Sequence, residues 1–191
     1  AAWDIVVEGD YAYLAGGSDG LLTMNVSDKT NPTMGSIVAP DPALDEILLN
    51  NDTISASFGE LALNGSILVA GTQGGGEVFD LSNPASPSST GTFVTTHPND
   101  IEIDVRPINT VQTTVIFIAD QSNGLSIYTL DESKAPVRRG ALPLTIPAAD
   151  CLAPDPTAPG ACATSASNIE VRGNLVYVTT DMGMFAIVLN F

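Results

Sequence analysis

The sequence predicts an all-β fold, a β-propeller of four-stranded antiparallel blades, and three observations predict it. First, the stretch GDYAYLAGGSDGLLTMNVSDKTNP at residues 9–32 is written again at 64–87 as NGSILVAGTQGGGEVFDLSNPASP. It recurs at 116–136 as IFIADQSNGLSIYTLDESKAP and, shortened, at 173–191 as GNLVYVTTDMGMFAIVLNF. Second, each copy is an apolar run, a glycine-rich turn and a second apolar run, and the first three close on a polar turn ending in proline. Third, the 3.6-residue periodicity of a helix is absent from the first unit, whose short apolar runs are separated by turn residues at close intervals. One four-stranded sheet cannot bury both of its faces alone, and radial stacking of several sheets covers them.

The elements follow in order. Residues 3–8 form a first strand ended by Gly9-Asp10, residues 11–15 a second, and residues 21–26 a third after the turn GGSDG. In SDKTNP the Ser, Asp and Asn side chains bond their own backbone and Pro32 fixes φ, so the chain turns into a fourth, edge strand at 34–38. The second unit runs over 58–94 with strands at 60–63, 66–71, 77–81 and 90–94. The third covers 99–144, with a detour at 106–110 between its first two strands. The fourth covers 168–191 and stops at its third strand. Aligned on Ala15, Ala70, Ala119 and Thr179, the repeats are spaced by 55, 49 and 60 residues. The whole is one propeller domain, with its last blade incomplete and the sequence read as a piece of a larger propeller.

Two insertions interrupt the repeats, at 39–57 and 145–167. In the first, Leu44, Ile47 and Leu48 stand at i, i+3 and i+4, which predicts one or two helical turns over 42–50. It also carries Asp41, Asp45, Glu46 and Asp52, oxygens without the alternating spacing and glycine of a calcium loop. The second insertion holds both cysteines, Cys151 and Cys162, around CLAPDPTAPGAC, whose prolines and glycine exclude a helix or long strand. Two lone cysteines make a poor zinc site, because zinc takes about four ligands. A Cys151–Cys162 disulfide is expected instead, closing a short loop for about 2–3 kcal/mol and implying an oxidising compartment.

The charge balance excludes one function class. Six basic residues against 22 acidic ones give a net charge of −16. Nucleic-acid binding rests on Lys and Arg neutralising phosphates, so a polyanionic partner is repelled. No apolar run approaches the ~20 residues of a membrane-spanning helix. No basic segment followed by an apolar stretch begins at Ala1, which reads as a mature protein, a fragment or a cytosolic one.

The pattern Tyr13-Leu14-Ala15, Gly20-Leu21, Asn25-Val26-Ser27 and a closing proline resembles the LVIVD repeat of bacterial and archaeal surface and secreted proteins. It recurs as Leu68-Val69-Ala70 with Phe79-Asp80-Leu81-Ser82-Asn83-Pro84, and as Ile118-Ala119-Asp120 with Gly124-Leu125-Ser126-Ile127-Tyr128. The weakest copy is Val176-Tyr177-Val178 with Gly183-Met184-Phe185. The resemblance implies an exported propeller, usually of more than four blades and often part of a larger surface protein. The departure is at the ends, where neither terminus supplies a spare strand to close a ring. An additional chain or protein partner is therefore expected to complete the propeller or assembly.

Chemistry-bearing constellations are sparse. His97, the single histidine, stands in the turn THPND with no GxSxG elbow elsewhere, and reads as a surface turn residue. Gly16-Gly17 and Gly74-Gly75-Gly76 lack the helix and GK[ST] ending of a phosphate loop and read as hairpin turns. One recurrence remains: Asp4, Glu60, Asp100 and Asn168 each begin the first strand of a unit. That strand is innermost in a propeller, so these side chains either hydrogen-bond the neighbouring blade or ring the axis and hold a cation such as Ca2+ or a polar ligand. The expectation is an acidic, non-enzymatic extracellular, cell-surface or periplasmic scaffold for protein–protein interaction, without a cofactor. The alternatives are a ligand- or cation-binding protein or enzyme using the axial carboxylates, and a subunit of a surface layer or filament.

Overall fold

The computed structural model describes residues 2–47, 53–147 and 161–190. Blade I is built from β1 (Asp4–Glu8), β2 (Tyr11–Ala15), β3 (Leu21–Asn25) and β4 (Thr33–Val38) in consecutive antiparallel order. A 3-10 turn at Pro42–Leu44 and the short hairpin β5 (Glu46–Ile47) and β6 (Thr53–Ile54) follow. Blade II holds β7 (Glu60–Asn64), β8 (Ile67–Thr72), β9 (Gly75–Asp80) and β10 (Ser88–Val94). Blade III holds β11 (Asp100–Ile108), β12 (Val111–Ala119), β13 (Leu125–Leu130) and β14 (Pro136–Leu142). After a second hairpin, β15 (Thr145–Pro147) and β16 (Ala161–Ala163), blade IV has three strands, β17 (Ala166–Arg172), β18 (Leu175–Thr180) and β19 (Gly183–Val188).

The first strands lie side by side, β1 next to β7, β7 next to β11 and β11 next to β17, as the inner strands of successive blades do. Each blade-to-blade seam has its own core. Tyr13, Ala15 and Leu21 of blade I meet Leu61, Leu68 and Phe79 of blade II, with Phe58 and Phe79 in an edge-to-face pair, centroids 5.9 Å apart. Val69, Val78 and Phe93 meet Ile101, Ile116, Ile118 and Tyr128 across the second seam. Val115, Phe117 and Leu125 meet Ile169, Val176 and Val178 across the third. Side chains alternate between the two faces of a strand, so each middle blade buries both sets, at about 1.5–3 kcal/mol for each large apolar side chain.

The end blades are covered on one face only, and the stack is not closed into a ring. Ile5 is 56% exposed and Ile37 55%, whereas Leu61, Ile101 and Ile169, at the position of Ile5 in the later blades, are 5–8% exposed. On blade IV, Met184 and Val188 are likewise exposed.

Several sequence expectations need correction. Of the helical turns expected over 42–50, residues 42–47 form only the 3-10 turn, because Asp41 caps Ala43 N–H and residues 46–47 pair as a strand, while residues 48–50 lie outside the described residues. The detour expected at 106–110 is instead a lengthened hairpin. β11 and β12 stay paired out to Ile108 and Val111, and Asn109 and Thr110 form its two-residue turn at φ +49° and +71°. Part of the cysteine loop, expected to be irregular, forms β16. Finally, Gly71 and not Ala70 faces Glu60, in the way Ala15 faces Asp4 and Ala119 faces Asp100. The alignment through Ala70 is one residue out of register, which places it on the wrong face of the sheet.

Candidate functional site: the inner strand starts

Asp4, Glu60, Asp100 and Asn168 all stand at the first or third position of an inner strand, each opposite the end of the second strand. Two of them tie blades together. Asp4 accepts its neighbour Ile5 N–H on Oδ1 at 2.7 Å and Leu61 N–H of blade II on Oδ2 at 2.9 Å. Asp100 repeats this, taking Ile101 N–H on Oδ1 at 2.9 Å and Ile169 N–H of blade IV on Oδ2 at 2.8 Å. The geometry has a simple origin. The start of each inner strand presents an N–H toward the preceding blade, and a short carboxylate there has one oxygen for each side of the seam.

Glu60 breaks the pattern. Ile101 N–H is already bonded by Asp100, and the second seam is tied one turn along by Asn64 Nδ2 donating to Ile103 O at 3.0 Å. Burial, with the charges of Asp4 and Asp100 nearby, pushes the Glu60 carboxyl up to about 7. Asp100 is also raised, chiefly by burial, although the N–H groups of Ile169 and Ile101 and the side chain of Asn168 hold it down. The fold thus draws the three carboxylates into one electrostatic neighbourhood. Asn168 reaches the same cluster through Asp100, on the exposed side of blade IV. Among the described residues, no three His, Cys, Asp or Glu side chains are arranged to hold a metal ion.

His97 stands closer to this group than a turn residue suggests. Glu60, His97, Asn99, Thr72 and Gln73 line one cavity of about 210 Å³ between blades II and III. The Thr72 hydroxyl is buried and finds no hydrogen-bond partner among the described residues. Asp120, quoted from the sequence only as part of the repeat, holds the turn that carries His97. Fully buried, it accepts Thr96 N–H at 2.9 Å and His97 N–H at 3.0 Å on Oδ1, and Ser126 Oγ donates to Oδ2 at 2.8 Å. Its signal was a lone acid at the end of an apolar run, where the other blades carry Gly16, Thr72 and Thr180. A larger groove of about 540 Å³ runs along the outer part of blade III, floored by Ile108, Ile127, Ala141 and Leu142. Of the expected disulfide pair, Cys151 lies outside the described residues, and Cys162 is buried and not free.

Four-stranded antiparallel sheets stacked with their first strands innermost define a partial β-propeller. Residues 1–39, 68–95 and 163–188 match the LVIVD repeat. Blade III, with its lengthened hairpin, lies outside those matches. Among solved structures, the chain resembles a protein from Lactobacillus plantarum with 16% identity and a TM-score of 0.66. That match covers 97% of this chain, which spans about half, 53%, of the Lactobacillus chain. The computationally designed Ika4 protein matches with 10% identity and a TM-score of 0.57, over 100% of this chain and 92% of the design. At these identities the likeness concerns the fold. No curated protein matches the chain significantly.

Proposed function

We propose that the chain is a non-enzymatic propeller scaffold of the extracellular space or cell surface, whose working contacts are with protein. The observation that carries this is the bare face of blade I. Ile5, Val7, Met34 and Ile37 are each more than half exposed, on the face that blades II, III and IV bury against the blade before them. Such a contiguous apolar face marks an interaction surface. The inner acids support a structural role, since Asp4 and Asp100 spend their oxygens on backbone N–H groups. The net charge of −16 keeps such a module soluble and disfavours polyanionic partners. A Cys151–Cys162 disulfide fits an exported module, and mass spectrometry with alkylation before and after reduction tests it.

The module reading is tested by sedimentation of the full chain over a concentration series, alone and as the double variant Ile5→Lys/Ile37→Lys. Concentration-dependent association and hydrophobic-dye binding are expected of the parent and lost in the variant, with the β-sheet circular dichroism kept. A parent that stays at 19.7 kDa and binds no dye sinks the reading.

One observation favours a second reading, binding of a small polar ligand or cation. It is the cavity shared by Glu60, His97 and the unpaired Thr72 hydroxyl. Calorimetric titration with Ca2+ separates the two, because a saturable heat lost in Glu60→Gln supports this reading alone.

A further inference from the structure

The blade seams are stitched just before each inner strand, and the middle seam lacks the stitch. Two residues before Glu60 stands Phe58, which exchanges both backbone hydrogen bonds with Gly17 of blade I, each 3.2 Å long. Two residues before Asn168 stands Ala166, whose N–H donates to Gln121 O of blade III at 3.0 Å. The corresponding pair at the middle seam is Pro98 with Gln73. Proline has no N–H to give, and no bridge joins these two residues. The cavity of about 210 Å³ lies at this unstitched place, with Glu60, Gln73, His97 and Pro98 in its wall.

The groups around the cavity are acceptors without a cation. No described group donates to the Glu60 carboxylate, whereas Asp4 and Asp100 each hold two backbone N–H groups. Asn99 gives its amide nitrogen to Ala166 O at 2.6 Å, which leaves its oxygen as an acceptor. Thr72 lines the same cavity at 4% exposure, and its hydroxyl finds no partner among the described residues. None of the six Lys and Arg residues lines it. A half-buried carboxylate beside two others, with no counter-charge of its own, favours a cationic ligand.

The donor set separates one kind of cation from another. Calcium takes about six to eight oxygens, several of them carboxylate, and Glu60 is the one inner carboxylate not already committed to backbone N–H groups. A primary ammonium carries three N–H donors and is satisfied by one carboxylate with neutral oxygens such as those of Thr72, Gln73 and Asn99.

We propose that the gap between blades II and III binds the primary ammonium group of a small amine, with the Glu60 carboxylate as its counter-ion. This names the ligand class for the second reading above and rests on it. Pro98 is a positioning residue, since the N–H it lacks is the one that would draw the seam together at Gln73.

The chain has one histidine and one tryptophan, and both report on the site. His97 lines the cavity. Trp3 stands beside Ser57 of its wall, and a methyl group on Gly17 would lie 3.0 Å from Trp3 Nε1 and 3.3 Å from Ser57 Oγ. The probe is n-butylammonium chloride, titrated into the full chain at about pH 8 and constant ionic strength, with n-butanol and Ca2+ run in parallel. His97 ring resonances and Trp3 fluorescence follow the binding. Saturation below about 10 mM is expected for the amine alone. Glu60→Gln is expected to weaken it at least about tenfold, while Asp28→Asn, which removes the same charge from an exposed turn of blade I, leaves it unchanged. Pro98→Ala restores the N–H, which is expected to exchange slowly through its bond to Gln73 O and to weaken amine binding at least about fivefold, with the circular dichroism kept. No saturation by the amine, equal binding of n-butanol, an equal loss in Asp28→Asn, or undiminished binding by Pro98→Ala each overturns the proposal. Saturable, Glu60-dependent Ca2+ binding without amine binding overturns the ammonium assignment alone and leaves the second reading standing. Saturation by neither ligand sinks both.

Discussion

Asp4 Oδ2 and the Leu61 backbone N–H lie 2.9 Å apart across the first blade seam, and Asp100 Oδ2 with Ile169 N–H repeats the relationship across the third at 2.8 Å. A side chain 57 residues away in sequence thereby completes the backbone hydrogen bonding of the next blade. Removing it leaves the N–H of the buried Leu61 without its acceptor. Asp4→Ala is expected to lower the unfolding free energy by about 1–3 kcal/mol, and Asp4→Asn by less, since its amide oxygen still accepts. Urea denaturation of the three proteins checks the order.

Glu60 carries the opposite sign. Its carboxyl titrates near 7 in the folded chain against 4.5 ordinarily, so the folded state holds a proton that the unfolded chain has lost between those values. Stability from this group is present below about pH 4.5 and lost as pH rises to about 7. Glu60→Gln should remove that part of the slope and leave the variant more stable than the parent at pH 8. Thermal melts across pH 4–8 decide it, and an unchanged slope would show that Glu60 is solvated.

On the outer rim, Lys134 Nζ meets Asp80 Oδ1 at 2.6 Å and joins the turn of blade III to that of blade II. The Lys134 ammonium, with the Ser82 hydroxyl and N–H, holds the Asp80 carboxyl down at about 2. Its contribution is present above the ordinary carboxyl value of 3.8 and lost as pH falls through about 2. Lys134→Gln is expected to return Asp80 part of the way toward 3.8, read directly from the carboxyl carbon shift during an NMR titration.

Gly124 and Gly183 should respond differently to one methyl group. Gly124→Ala drives its Cβ into Leu142 O and the Leu144 amide while φ stays at +73°, so a loss above about 2 kcal/mol is expected. Gly183→Ala has only its backbone angle to oppose it and should cost less. Chemical denaturation of the pair measures the difference.

Tyr13 tests the seam core. It is fully buried, and its hydroxyl donates to Pro84 O of the outer turn of blade II at 3.1 Å. Tyr13→Phe keeps the ring and should cost about 1 kcal/mol, whereas Tyr13→Ala empties the seam and should cost about 3–5 kcal/mol.

Much of this architecture is local and was legible before any coordinates. Turn chemistry in SDKTNP and DLSNPASP, with the apolar runs between, determines where strands start and stop, because Asp28 and Asp80 fold back on their own backbone two residues on. The recurrence of an acid or amide at the inner strand start was equally plain. Its use was not: whether Asp4 held a ligand or a neighbouring N–H depends on what the next blade brings opposite it.

By itself, then, the sequence determined the repeat, the sheet class and the order of strands within each copy. Tertiary structure alone decided the rest. It chose the face of the sheet at Ala70 and Gly71, since a one-residue shift in pairing reverses every side chain. It set Glu60 apart from Asp4 and Asp100, since proton affinity depends on charges and burial contributed by other blades. It also showed which apolar faces lie bare, because exposure belongs to the stack of blades and not to any single strand.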